Sequence, residues 1–313
     1  MHKVFVDGQE GTTGIEIHER LSIRNDVEIL TIASDKKKDL AERAKYLNEA
    51  DIVFLCLPDD AAKESVSLIT NPNVKVIDAS TAHRVADDWD YGIAELSPAH
   101  RENIKNAKRV TNPGCHATGF IMAMYPLVKE GLVAPDFPCS CYSLTGYSGG
   151  GKKMIESYED PANKDDVRCP KIYGLGLAHK HLPEMKKRSN IISTPIFTPI
   201  VAPFYRGMNV TTPIIPSLMK KSMSAKELHA FYSQYYSGER FVKIMPFGIE
   251  TEIKQGFLSA EGCNHTNEIH FYIFGNDEQI LVVAQLDNLG KGASGAAIQN
   301  MNIMTGTDEA YGL

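Results

Sequence analysis

Residues 3–21, KVFVDGQEGTTGIEIHERL, decide the fold of the first third of the chain. Lys3-Val4-Phe5-Val6-Asp7 reads as a short buried strand, Gly8, Gly11 and Gly14 make a turn, and Ile15, Ile17 and Leu21 recur at helical spacing. Strand, glycine turn and helix in that order bring backbone amides to a helix start, where a pyrophosphate binds. The spacing is GxxGxxG rather than GxGxxG, and a glycine-rich turn also arises for steric reasons alone. Gly8, Gly11, Thr12, Thr13 and Gly14 are the expected cofactor contacts in this turn.

The segments that follow extend the pattern. Residues 27–32 (VEILTI) read as a second strand, ending at Ser34, Asp35 and the lysines Lys36, Lys37 and Lys38. An NAD site places an acidic residue at the end of that strand to hold the ribose 2′-hydroxyl. Ser34 and three lysines favour a 2′-phosphate instead, and so NADP; the alternative is that the lysines solvate a helix start. Residues 51–57 (DIVFLCL) and 74–78 (VKVID) are a third and fourth strand, with a helix at 61–68 between them. Strands alternating with short helices predict a parallel, doubly wound sheet. The fourth strand runs into Asp78-Ala79-Ser80-Thr81-Ala82-His83-Arg84. Arg84 stands at a strand's C-terminal end, where it suits a phosphate or carboxylate fork, or is an exposed loop arginine.

Composition narrows the class. At 313 residues the chain is long enough for two domains, and 43% hydrophobic with 23% charged residues is ordinary for a globular protein. A net charge of −6 argues against nucleic acid as a general partner. The longest apolar runs fall short of a membrane span, and no basic segment with an apolar core opens the chain, so no membrane partner is expected. Six cysteines without a CxxC pair read as reduced, which predicts a cytoplasmic protein with no metal site.

The chemistry starts at Asn112-Pro113-Gly114-Cys115-His116-Ala117. Pro113-Gly114 ends the preceding stretch, and residues 117–128 (ATGFIMAMYPLV) are apolar and helix-compatible, so Cys115 opens a helix. The amides and dipole of a helix start favour a thiolate, which makes Cys115 an acyl-accepting nucleophile; the alternative is a core cysteine capping an apolar helix. A strand at 139–146 enters Tyr147-Ser148-Gly149-Gly150-Gly151-Lys152-Lys153, which reads equally as an anion nest and as a hairpin loop. His179 and His181, in GLAHKHLPEM, are the acid–base candidates. Pro183 disfavours a helical Leu182, so the two histidines are expected on extended backbone, facing opposite ways, one in the site and the other structural. Residues 196–212 mix β-branched and aromatic residues with prolines, as sheet edges do. Residues 287–297 (DNLGKGASGAA) open a closing helix rich in small residues, read as the return to the nucleotide domain.

Taken together, VFVDGQEGTTG, VFLCLPDDAA, DASTAHRV, TNPGCHATG, YSGGGKK, GLAHKHLPE, APFYRGM and DNLGKGASGAAIQNMN resemble the N-acetyl-γ-glutamyl-phosphate reductase family in its shorter form. NPGCHATG and DNLGKGASGAA are the most specific, and the matches run from the first strand to the final helix. GQEGTTG departs from the GxTGYxG-type turn of the longer form, keeping the glycines while Gln9 and Glu10 alter the middle. The resemblance implies an α/β fold shared with aspartate-semialdehyde dehydrogenase. It divides the chain into an NADP-binding Rossmann domain (1–114 and 288–313) and an α+β catalytic and oligomerisation domain (115–287). It further implies a small-molecule acyl phosphate substrate, a homodimer or homotetramer, attack by Cys115, and proton transfer by His179 or His181. Ser34 and Asn288 join the glycine turn as expected cofactor contacts; Asn112, Arg84, Ser148 and Lys152 are the expected substrate contacts. The competing readings are another acyl phosphate, notably aspartyl phosphate, and a nucleotide-binding redox sensor without turnover.

Overall fold

The computed structural model describes residues 1–249 and 253–313, and the chain divides into two units, Met1–Gly114 with Ala293–Leu313, and Cys115–Gly292. The return to the first unit falls at Ala293, five residues after the expected 288, so Asn288 to Gly292 belong to the second.

In the first unit, β1 (His2–Asp7), β2 (Val27–Leu30), β3 (Ile52–Leu55), β4 (Lys75–Asp78), β5 (Asp90–Tyr91) and β6 (Arg109–Thr111) form one sheet in the order β2-β1-β3-β4-β6-β5. Every pairing is parallel. Side chains alternate between faces along a strand. Val4, Val6, Ile52, Phe54 and Ile77 accordingly pack on one side with Ile17 and Leu21 of α1 (Thr12–Ser22). Phe5, Val53, Leu55 and Val76 pack on the other with Leu47 of α2 (Leu40–Glu49) and Ala62 of α3 (Asp59–Leu68). Ile104 of α4 (Pro98–Asn106) and Ile298 of the closing helix (Gly295–Thr305) complete the first face. Helices on both faces are why β3 reads as an unbroken apolar run, and the sheet is the doubly wound one that residues 3–78 predict. β1 has β2 on one side and β3 on the other, so the strand order reverses there, and ligands bind outside the strand ends at such a point.

The second unit opens with α5 (Cys115–Lys129) and continues through β7 (Ser140–Gly146), α6 (Lys152–Glu159), α7 (Lys164–Val167), β8 (Lys171–Ile172) and α8 (Leu182–Arg188). It then adds β9 (Ile196–Ala202), β10 (Met208–Ile214), α9 (Ala225–Tyr235), β11 (Val242–Ile244), β12 (Ile269–Gly275) and β13 (Ile280–Leu286). The strands form a mixed sheet, β11-β12-β13-β10-β7-β9-β8, with α5 against β10 and β13 and α9 against β12. Gly119 lets α5 sit close to the sheet, because a β-carbon there would come 2.6 Å from Val210 Cβ. Pro126 inside α5 has no N–H for the Met122 carbonyl, and Tyr236 supplies the missing donor, its hydroxyl 2.5 Å from that oxygen.

One expectation about the sheet changes. Residues 196–212 are not sheet edges: β9 lies second from one end and β10 in the middle. Pro199 in β9 and Pro213 in β10 are accommodated because each lies where one neighbouring ladder has ended. β8 pairs only with Ile200 and Val201, stopping before Pro199, and β7 reaches only Thr211 of β10, stopping before Pro213. Among the described residues no helix is long and apolar enough to cross a membrane.

Candidate active site

At the end of β1 the chain turns at Gly8 with φ +90°, where a side chain would strike the Cys56 carbonyl; a side chain on Gly14 would strike the Gly8 carbonyl and Gln9. Gly11 is the N-cap of α1 and gives it no side-chain bond, and the first turn, with Thr12 and Thr13, carries no acid. A helix start without a side-chain cap, reached over glycines, is what an anionic pyrophosphate fills. Beside it lies a cleft of about 520 Å³, lined by Gly8, Glu10, Ile32, Lys37, Lys38 and Arg43 among others. Lys37 meets Glu10 at 2.5 Å, and Arg43 is held by Asp7 at 3.1 Å and Glu64 at 2.9 Å. The residues present therefore fit a dinucleotide. Ser34 lies outside the cleft lining, exposed in a short 3-10 turn, because β2 ends four residues earlier at Leu30. Lys37 and Lys38 line the cleft instead.

Two expected substrate contacts are buried braces of the first unit. The Arg84 side chain donates from Nε to the Asn112 carbonyl (3.1 Å) and from Nη2 to the Ala79 carbonyl (3.0 Å), tying the ends of β4 and β6 together. Asn112, 1% exposed, donates to the Ala293 carbonyl and accepts from Asn300. These bonds place Arg84 and Asn112 as framework rather than as open anion forks.

In the second unit Cys115 is the first residue of α5 and half-buried, and among the described cysteines it alone opens a helix. No two cysteines are joined in a disulfide. Burial pushes the thiols of Cys139 and Cys263 up to about 12, and Cys141 higher still, so those three remain protonated packing residues. The segment after β13 lies against Cys115: a β-carbon on Gly292 would come 2.7 Å from Cys115 Cβ and 3.1 Å from the Asp287 carbonyl. That segment is fixed by its own side chains. Asp287 accepts from Arg206 (3.1 Å) and from the His265 backbone N–H (2.8 Å). Asn288 donates to Ser148 Oγ (2.9 Å) and accepts from the Gly207 N–H (2.8 Å). Ser148 is 1% exposed, so within the second unit Asn288 and Ser148 form one buried pair. Lys152 stands apart, 77% exposed at its side chain and 4.0 Å from Glu156 one helical turn on.

Tyr173, His179 and His181 gather around His116, the residue after Cys115. His116, buried on α5, has Nδ1 2.8 Å from Ser143 Oγ and Nε2 2.8 Å from the Tyr173 hydroxyl. Its ring centroid is 5.7 Å from His179 and 5.5 Å from His181, which lie 4.8 Å from each other. Burial first, and then the positive charges of His179 and Lys180, push the His116 imidazole down to about 3, so it is neutral at working pH. Burial, followed by the nearby charge of Cys115, raises Tyr173 and keeps it a phenol.

The two histidines do not face opposite ways. Residues i and i+2 share a face on extended chain, and the segment is a turn in which the His181 N–H donates to His179 Nδ1 at 3.2 Å. Leu182 is helical as well, because Pro183 falls in the first turn of α8, where its missing N–H costs nothing. Among the described residues no group of three or more His, Cys, Asp and Glu is placed to hold a metal. Sequence reading missed His116, Ser143, Tyr173 and Gly292 as site residues. His116 carried a signal in its adjacency to Cys115, whereas Ser143 looks like any strand serine.

Comparison with known proteins bears on the fold and the family. Residues 3–107 match the family model described as semialdehyde dehydrogenase, NAD binding domain, and residues 115–288 match semialdehyde dehydrogenase, dimerisation domain. Aspartate semialdehyde dehydrogenase from Francisella tularensis shares the fold at TM-score 0.72 and 17% identity, covering 97% of this chain and 100% of that one. The enzyme from Vibrio cholerae does so at 0.70 and 13%, covering 97% and 98%. In sequence the likeness is closer. N-acetyl-gamma-glutamyl-phosphate reductase 2 of Nostoc sp. is 46% identical over 318 residues, covering 99% of both chains. The reductase of Chelativorans sp. is 45% identical over 307, covering 96% of this chain and 97% of its own. With that identity sustained from the glycine turn to the closing helix, the chain belongs to the N-acetyl-γ-glutamyl-phosphate reductase family, a nicotinamide-dependent branch of the semialdehyde dehydrogenases.

Proposed function

We propose that this chain reduces N-acetyl-γ-glutamyl phosphate to N-acetylglutamate semialdehyde with NADPH, a step of arginine biosynthesis, in the cytoplasm. The observation that carries the reading is Cys115 at the start of α5, with His116, His179 and His181 clustered in the same unit. The Cys115 thiolate attacks the acyl carbonyl carbon, the carbon–oxygen bond to phosphate breaks, and phosphate leaves with that electron pair, so a thioester remains on the enzyme. Amides at the α5 start stabilise the oxyanion, a contribution of ~3 kcal/mol per donor in comparable sites. NADPH, when bound, supplies the hydride that reduces the thioester. The His179–His181 pair gives a proton to the thiohemiacetal oxygen and takes it back as the carbon–sulfur bond breaks, restoring the thiolate.

The glycine turn and the α1 start would hold the pyrophosphate, and Lys37 and Lys38 the 2′-phosphate that separates NADP from NAD. Tyr142, Ile172 and Ile196, exposed on β7, β8 and β9, offer apolar surface for a second copy, which supports a homodimer or homotetramer. The test is the reverse reaction. NADP-dependent, phosphate-dependent oxidation of N-acetylglutamate semialdehyde is expected, with NAD at least about tenfold poorer in kcat/KM. Turnover of aspartate semialdehyde alone would overturn the substrate, and equal use of NAD would overturn the cofactor.

A further inference from the structure

The cleft beside the glycine turn carries as much negative as positive charge in its own lining. Asp7, Glu10 and Glu64 stand there together with Lys37, Lys38 and Arg43. Arg43 answers two of the acids, Asp7 at 3.1 Å and Glu64 at 2.9 Å, and Asp7 also accepts from Ser65 Oγ at 2.8 Å. The Asp7 and Arg43 side chains are both buried, so that pair is part of the wall. Glu10 differs. It sits on the turn between Gly8 and Gly11, and its carboxylate meets the Lys37 ammonium at 2.5 Å. The Glu10 side chain is 77% exposed and that of Lys37 only 24%. An ion pair with one partner so exposed is weak, and Glu10 can swing out into water at small cost while Lys37 stays in the lining. Of the neighbouring lysines, Lys36 pairs with Glu42 at 3.6 Å, and Lys38 is exposed in the lining.

We propose that Glu10 is an internal stand-in for the 2′-phosphate of NADP, its carboxylate holding Lys37 until the phosphate displaces it. The inference rests on NADP being the cofactor. A phosphate monoester brings about 1.5 to 2 negative charges and three acceptor oxygens, against one charge and two oxygens for a carboxylate, so it takes the ammonium. A ribose 2′-hydroxyl has no charge to offer and leaves the Glu10–Lys37 pair intact. Glu10 therefore weakens NADP without touching NAD, and sets how strongly the cleft separates the two. Such a competitor eases release of the oxidised cofactor while keeping the lysine that selects it.

The experiment is titration calorimetry of NADP+ and NAD+, which differ only in the 2′-phosphate, with the wild-type protein, Glu10→Gln, Lys37→Met and the double variant. NAD+ affinity reports that the cleft of each variant is intact. Glu10→Gln is expected to bind NADP+ about three- to fivefold tighter, the range of an exposed ion pair, with NAD+ unchanged. Lys37→Met is expected to bind NADP+ about tenfold more weakly, as for loss of a hydrogen bond to a charged group. Adding Glu10→Gln to Lys37→Met is expected to change nothing further, because both act on one bond. An NADP+ affinity that stays the same or falls in Glu10→Gln overturns the proposal, and this variant alone decides it if Lys37→Met does not fold. An equal gain for NAD+, or a gain for NADP+ that survives Lys37→Met, overturns it too, since either shows general repulsion rather than competition for Lys37. Wild-type protein that binds NADP+ no tighter than NAD+ overturns the NADP reading itself, and the proposal with it.

Discussion

The two units build their sites from different material. In the first, the turn proposed to meet the cofactor is backbone: Gly8 and Gly14 stand where a side chain would clash, and the start of α1 has no side-chain cap. In the second the site is side chain: a thiol, a phenol, a hydroxyl and three imidazoles. The difference teaches where each unit is vulnerable. Adding an atom harms a site made of backbone, while removing a functional group harms one made of side chains.

The largest effect that would sharpen this contrast lies in the histidine pair. Replacing His179 and His181 together by Asn should lower kcat by about 10³-fold with NADPH binding unchanged, because only proton transfer is lost. A loss under tenfold would show that the pair does not carry the proton. Next come the glycines. Gly8→Ala forces a side chain into a left-handed turn and against the Cys56 carbonyl, a strain of roughly 1–3 kcal/mol, and should weaken NADPH binding more than about tenfold in titration calorimetry. Gly292→Ala crowds Cys115 instead and should slow acylation while leaving NADPH affinity within about twofold. Equal effects of the two on cofactor binding would break the division between units.

The smallest effect is on stability. The His116 value near 3 lies below the 6.5 of a free imidazole, so the unfolded chain takes up that proton first. Its contribution is therefore fully present above 6.5 and is lost as pH falls from there toward 3, by at most about 1.4 kcal/mol per unit. Urea unfolding at about pH 7 and about pH 5 should show the native protein losing roughly 2 kcal/mol more than His116→Asn. Equal losses would mean that His116 accepts its proton in the folded state.

The same contrast explains what could be read from sequence. Strand, glycine turn and helix lie within residues 2–22, so the first unit's glycine turn was legible, as were β3 in its unbroken apolar run and β4 around Val76 and Ile77. Cys115 was legible for the same local reason, a Pro-Gly stop before an apolar helix. The rest of the second site is gathered from Ser143, Tyr173, His179 and Gly292, and no short window holds that pattern. Arg84 and Asn112 carried the right chemistry for an anion, but long-range bonds to the Asn112 and Ala293 carbonyls turn them inward, and such bonds leave no trace in spacing.

The account turns on Cys115 as the acyl acceptor. Mixing the protein with N-acetyl-γ-glutamyl phosphate in the absence of cofactor and recording the intact mass by rapid-quench mass spectrometry tests it directly. One acyl group per chain is expected, mapped to the Cys115 peptide, with one phosphate released and no adduct in Cys115→Ser. Phosphate release without an adduct, or an adduct that persists in that variant, would contradict it.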